Sequence, residues 1–169
     1  WYTYNIKTSK YTELTKGKVF YNELNDSPDY PRSYGLAGWT KNDKKILIYD
    51  RFDIWEFSPD DASSKRLTKG RETKTSFRYV RLDPEKRFIE SSEKMLMTTF
   101  NEITKNSGYY EYNYRINKGE QLLEGPYRYS IPRKARLTDV VVFNRQSFEE
   151  YPNIRVSDLN FKSENIISD

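Results

Sequence analysis

The chain has no cysteine and no histidine. Without cysteine it makes no disulfide, thiol nucleophile or thiolate metal site, an absence compatible with any compartment. Without imidazole it cannot by itself supply a Ser-His-Asp or Cys-His group, or a His-based zinc or iron site. Glycine is scarce, at 7 of 169 residues, and no G-x-G-x-x-G, G-x-x-x-x-G-K-[ST] or G-x-S-x-G run occurs, so phosphate-cradling loops and a nucleophile elbow have no sequence basis. No apolar run approaches the roughly 18 residues of a membrane helix, and no signal peptide is visible. Enzymes built from carboxylates alone remain possible.

What is abundant is aromatic and charged: 15 Tyr, 9 Phe and 3 Trp with 32% charged residues and a net charge of +4. Mean hydropathy is low, at -0.97. Aromatics at 16% are foreign to disordered chains and suit the half-buried pleat of a sheet. At this length the chain can hold one domain with a real core.

One phrase recurs four times with decay: WYTYNIKTSKYTELTKG (Trp1 to Gly17), FDIWEFSPDDASSKRLTKG (Phe52 to Gly70), GYYEYNYRINKGEQLLEG (Gly108 to Gly125) and PNIRVSDLNFKSENIISD (Pro152 to Asp169). Each reads as strand, polar turn, strand. Aligned on Leu14, Leu67, Leu122 and Ile166, the copies are 53, 55 and 44 residues apart by residue number. The residues Tyr4, Trp55, Tyr112 and Val156 precede those anchors by 10, 12, 10 and 10. The longer copy carries its extra residues in the turn SPDDASS, where insertion costs little. Between copies lie buried-strand runs, KKILIYDR (Lys44 to Arg51), EKMLMTTFNE (Glu93 to Glu102) and TDVVVFNRQ (Thr138 to Gln146). Weaker strand candidates precede them at Leu36 to Thr40, Phe77 to Leu82 and Lys134 to Leu137.

About four short strands per unit at this period predict a β-propeller, whose blades are four-stranded sheets. The fold expected is all-β: a partial propeller of about three and a half antiparallel blades, with an antiparallel sandwich as the alternative. A half-blade spans 1–17 and a turn-rich connector 18–35, followed by blades over about 36–70, 71–125 and 126–169. No helix is required beyond one turn near Ser147 to Tyr151. Closed propellers have four to eight blades, so the expectation is a fragment of a longer chain. Its uncovered blade edges favour self-association as a homodimer.

The run YPRSYGLAGWTKNDKKILIYDRFDIWEFSPD (Tyr30 to Asp60), followed by KRLTKG and SFRYVRLDPEKRFI, resembles the N-terminal β-propeller of bacterial serine peptidases of the prolyl oligopeptidase and dipeptidyl peptidase IV group. The resemblance implies a non-catalytic propeller that gates peptide substrates toward an α/β-hydrolase domain absent here. The parent protein is then a periplasmic or secreted peptidase. It implies no catalytic residue, cofactor or metal in this chain. The other functional reading is a stand-alone TolB-like or WD-like propeller that binds a protein or glycan.

Three stretches invite a site. Lys65, Arg66, Lys69, Arg71, Lys74, Arg78 and Arg81, interleaved with Phe77 and Tyr79 against the single acid Glu72, fit phosphate contact with stacking, a basic channel lining or a solvated connector. With a balanced charge elsewhere, nucleic acid is not the expected partner. Glu149 and Glu150 could hold a substrate ammonium, as paired propeller glutamates do in dipeptidyl peptidases, or sit in a solvated loop. Acids in Ser58 to Asp61 and Leu24 to Asp26 raise calcium or a glycosidase pair, yet lack the calcium-loop pattern and suit turns. Trp39, Trp55 and the strand Tyr109 to Tyr114 are expected in packing between blades.

Overall fold

A computed structural model describes residues 1–92 and 94–168. Among the described residues, fifteen strands form four antiparallel sheets arranged in chain order. The first sheet is a hairpin, β1 (Tyr2–Asn5) with β2 (Lys10–Glu13). The second orders β3 (Leu36–Trp39), β4 (Ile46–Tyr49), β5 (Ile54–Phe57) and β6 (Ser64–Arg66) side by side. The third does the same with β7 (Thr75–Tyr79), β8 (Lys94–Asn101), β9 (Ser107–Asn113) and β10 (Lys118–Gly125). In the fourth, two short strands, β11 (Arg128–Tyr129) and β12 (Arg133–Lys134), share one edge of β13 (Val140–Gln146). β14 (Asn153–Asp158) and β15 (Asn165–Ile166) complete it. The all-β expectation of about three and a half four-stranded blades describes this arrangement.

The core lies between sheets, which is why the middle strands are apolar at consecutive positions. In β4, Ile46 and Ile48 pack with Leu14, Phe20 and Phe57, while Leu47 and Tyr49 pack with Met95, Met97 and Tyr112 of the next sheet. Alternate side chains of a strand point to opposite faces, and here both faces are covered. Likewise Met95 and Met97 of β8 turn one way, and Leu96 turns the other, toward Val141 and Phe143 of β13. On β13 the pattern breaks: Val141 and Phe143 are buried, but Val140 and Val142 are 38% and 37% exposed, with no further sheet over that face among the described residues.

The recurring anchor has a packing role. Leu14 of the first hairpin packs on the second sheet, Leu67 on the third, and Leu122 against the cluster shared by the third and fourth. Hydrogen bonds set the register: Leu14 N donates to Trp1 O at 2.9 Å, Leu67 N to Ile54 O at 2.9 Å, and Ile167 N to Ile154 O at 3.0 Å. The fourth anchor is therefore Ile167, one residue beyond the Ile166 expected from sequence. Both isoleucines are exposed, at 55% and 60%, so burial does not distinguish them.

Two local expectations differ from the structure. The strand expected over Lys134 to Leu137 is the shorter β12 beside β11, and Leu137 is 93% exposed. Helix occurs not at Ser147 to Tyr151 but as one turn, α1 (Gly70–Thr73), and as a 3-10 turn over Lys41–Asp43. Gly70 is required in α1 because a Cβ there would collide with Thr75 O and the Phe77 ring. The connector is more than a tether, since Phe20 is buried and lies edge-on to Phe57 and Trp55 at 5.5 and 6.0 Å.

Candidate functional site

Much of the basic stretch is engaged by partners within the chain, although Lys65, Lys69, Lys74 and Arg81 are exposed. Its partners are two buried aspartates at the β4 to β5 turn, Asp50 and Asp53. Asp50 Oδ1 accepts from the backbone N–H groups of Phe52 and Asp53 at 2.8 and 2.6 Å. Its Oδ2 accepts from Trp55 Nε1 at 3.1 Å and Arg71 at 3.3 Å. Asp53 accepts from Thr68 Oγ1 at 2.6 Å, Gly70 N at 2.5 Å and Arg71 N at 3.1 Å, with Arg66 at 3.6 Å. Burial pushes the Asp53 carboxyl above its ordinary value, and these donors oppose that shift. The carboxylates thus tie the end of one blade to the start of the next.

The other cations follow suit. Arg71 also forms a two-armed pair with Glu23, at 2.7 and 3.2 Å, which holds its pKa above the ordinary value. Arg66 pairs with Glu72, and Lys65 bonds Asn117. Lys74 Nζ lies 5.4 Å from the Phe52 ring centre. Arg78 lies 4.8 Å over Tyr49 and donates to the carbonyls of Phe77, Asp50 and Arg51. Burial lowers its pKa. Lys69 and Arg81 are exposed.

Glu149 and Glu150 do not act as a pair. Glu149 is exposed, whereas Glu150 bridges Arg145, at 2.9 and 3.2 Å, and Arg155, at 2.8 Å. Glu164 closes the group with contacts of 3.3 and 3.2 Å to the same arginines. The bonds from Arg145 and Arg155 hold the Glu150 carboxyl down to about 2. The acidic turns are structural too. Asp61 accepts from Ser63 N at 2.9 Å, and the carbonyls of Pro59 and Asp60 accept from Thr3 and Thr12 of the first hairpin. Asn25 folds its own loop by donating to Ser27 O and Asp29 O. Among the described residues no three carboxylates converge as metal ligands. Trp39 and Trp55 pack on the first interface, and Tyr109 stacks on Phe161 at 4.3 Å in the third.

The feature best placed to meet a partner is an open cleft of about 670 Å³ between the third and fourth sheets. It is lined by β7 and the loop after it (Tyr79, Val80, Leu82, Asp83, Pro84, Glu85, Lys86), by Lys94 and Leu96 of β8, and by Lys134, Ala135 and Arg136 around β12. Four cations face two carboxylates there. Lys94 pairs with Glu111 at 2.6 Å, which raises its pKa, and Lys134 with Asp139 at 3.2 Å. Arg136 is exposed and has no ion pair among the described residues. Sequence reasoning passed over this cleft because its cations lie in segments about fifty residues apart, and no local pattern joins them.

No protein-family model matches the chain, and no curated protein matches it in sequence. Solved structures do. TolB from Acinetobacter baumannii aligns over 98% of this chain and 36% of its own length, with 14% identity and a TM-score of 0.52. A TolB candidate from Agrobacterium tumefaciens aligns over 83% of this chain and 50% of its own, with 16% identity and a TM-score of 0.48. The chain has a TolB-like β-propeller fold. It spans about a third of the first TolB chain and half of the second. The resemblance to prolyl oligopeptidase is overturned, because the structural neighbours are TolB proteins and nothing in sequence points to a peptidase. The expectation of a missing hydrolase domain and a peptide substrate loses its basis with it. The repeated Trp, apolar strand and closing Leu-Thr that suggested the family are blade-packing features, and packing features do not carry function.

Proposed function

We propose that this TolB-like propeller works by binding a protein partner, and that the cleft between the third and fourth sheets takes an extended acidic segment of it. The observation that carries this reading is the cleft's lining, Lys86, Lys94, Lys134 and Arg136 around an apolar floor of Val80, Leu82 and Leu96. Carboxylate side chains would gain charge-assisted hydrogen bonds from Arg136, and from Lys94 and Lys134 where they displace Glu111 and Asp139, while apolar residues between them would cover the floor. A glycan is less well served, since Tyr79 is the single aromatic in the lining and offers little stacking surface.

Fluorescence anisotropy with a labelled peptide alternating Glu and Leu, against a neutral oligosaccharide of similar length, tests the reading. Saturable peptide binding that weakens with salt is expected. Equal binding of the oligosaccharide, or peptide binding indifferent to salt, would contradict it.

A further inference from the structure

The face of the third sheet that turns toward the fourth carries an ordered row of polar side chains. Strand pairing sets Lys94 of β8 opposite Asn113 of β9, and Asn113 opposite Lys118 of β10. By the same pairing the next row on that face runs Leu96, Glu111 and Glu120. Leu96 lies in the core shared with the fourth sheet, and side chains two residues apart on a strand share a face, so Lys94 points the same way. Adjacent strands lie about 4.8 Å apart, which puts the Cα atoms of Lys94 and Lys118 about 10 Å apart with Asn113 midway.

Over this row lies an open hollow of about 250 Å³, bordered by Lys94, Glu111, Asn113, Ile116, Lys118 and Glu120. Lys94 also lines the cleft, so the two spaces meet at its side chain. Its ammonium is drawn to Glu111 at 2.6 Å, whereas Lys118 is exposed and forms no ion pair among the described residues. Asn113 Oδ1 accepts from Arg115 N and Ile116 N at 3.1 and 3.4 Å, and its Nδ2 has no acceptor among the described residues. Ile116 is exposed and gives the hollow an apolar wall.

We propose that this row is an outer subsite for two carboxylates set three residues apart on a polyproline-type segment of the partner, one at Lys94 and one at Lys118. A polyproline II chain repeats every three residues and rises about 3.1 Å per residue, so side chains at i and i+3 point the same way about 9 Å apart. That matches the spacing of the lysines. An extended strand fits worse, because its same-side residues lie about 6.6 or about 13 Å apart. A polyproline II backbone makes no internal hydrogen bonds, so Asn113 Nδ2 can donate to a carbonyl between the acids while the prolines rest on Ile116. Glu111 competes with the ligand for Lys94, and with Glu120 directly opposite it the second row repels carboxylates that miss the lysines. The subsite extends the acidic-partner reading of the cleft through Lys94. It is read out at Asn113 and Lys118, which the cleft does not contain, so either can fail alone.

The probe is the peptide Glu-Pro-Pro-Glu with both termini blocked, titrated into the full chain and followed by amide chemical shifts. Saturable shifts are expected at Asn113, Lys118 and Gly119. Lys118→Gln changes an exposed side chain and should weaken the probe at least about threefold. The Glu and Leu peptide of the cleft should still shift Lys134 to Arg136 in that variant. Glu111→Gln releases Lys94 and should strengthen the probe at least about twofold, and blocked Gln-Pro-Pro-Gln should not bind. The proposal is overturned if the probe leaves Asn113 and Lys118 unshifted at tens of millimolar, or if Lys118→Gln binds it as well as the parent. It is also overturned if Glu111→Gln weakens it, or if Glu-Pro-Glu binds as tightly. Probe shifts at Asn113 and Lys118 without any response of the cleft to its own peptide would sink the cleft reading and leave the subsite standing.

Discussion

Leu14, Leu67 and Ile167 occupy the same register position in three hairpins, and substituting each by alanine is expected to give opposite results. Leu14 and Leu67 are 3% and 9% exposed, each packed on the following sheet, whereas Ile167 is 60% exposed, with no sheet beyond it among the described residues. Full burial of a leucine side chain is worth about 1.5–3 kcal/mol, and the cavity left by truncation brings the expected loss to about 2–5 kcal/mol. For Ile167→Ala the packing loss is largely absent, and a change within about 0.5 kcal/mol is expected. Urea unfolding followed by tryptophan emission reads the difference, with equal m-values showing that only stability has moved. In a chain of this size Leu67→Ala should melt roughly 4 °C or more below the parent. If Ile167→Ala costs as much as Leu14→Ala, the anchors do not act by packing on the next blade and the account of the repeat is wrong.

Asp53 is wholly buried and accepts three hydrogen bonds, so Asp53→Ala strands two backbone donors and the Thr68 hydroxyl. A loss of about 3–5 kcal/mol is expected from breaking such a buried charged group, and a loss below about 1 kcal/mol in the same urea assay would count against the network's role. Glu150 is depressed from 4.5 to about 2 by its two arginines, so its folded pKa lies below its unfolded one. Its contribution is therefore present above about pH 4.5 and lost as pH falls toward about 2. Melting curves of Glu150→Gln should be flatter than the parent's across that window, and parallel curves would refute the assignment. In the cleft, Lys134→Glu with Arg136→Glu should weaken an acidic peptide at least about tenfold without moving the melting temperature by more than a few degrees, as anisotropy and calorimetry together would show.

The repeated hairpins and the apolar runs of β4, β8 and β13 were legible because strand pairing and burial leave local marks, a polar turn at nearly constant distance from an apolar anchor and three or four consecutive apolar residues. The last anchor slipped by one residue because Ile166 and Ile167 are both exposed among the described residues, so no burial pattern chooses between them. The fate of the basic stretch was not legible. Asp50 and Arg71 are 21 residues apart, and Glu23 and Arg71 are 48 apart, so only the packing of blades reveals that these cations are already paired. Glu150 differs, since its partners Arg145 and Arg155 are each five residues away in the same hairpin, but its adjacency to Glu149 drew attention and only the pairing of β13 with β14 shows the bridge. The family resemblance failed for a related reason: the residues behind it are those any blade uses to pack on its neighbour.

The claim that this propeller acts by binding at the cleft between its third and fourth sheets is tested most directly by amide chemical-shift mapping with the acidic peptide. Shifts confined to Val80 to Lys86, Lys94 to Leu96 and Lys134 to Arg136, and lost in the charge-reversed variant, are the expected result. Shifts centred elsewhere, or unchanged in that variant, would contradict it.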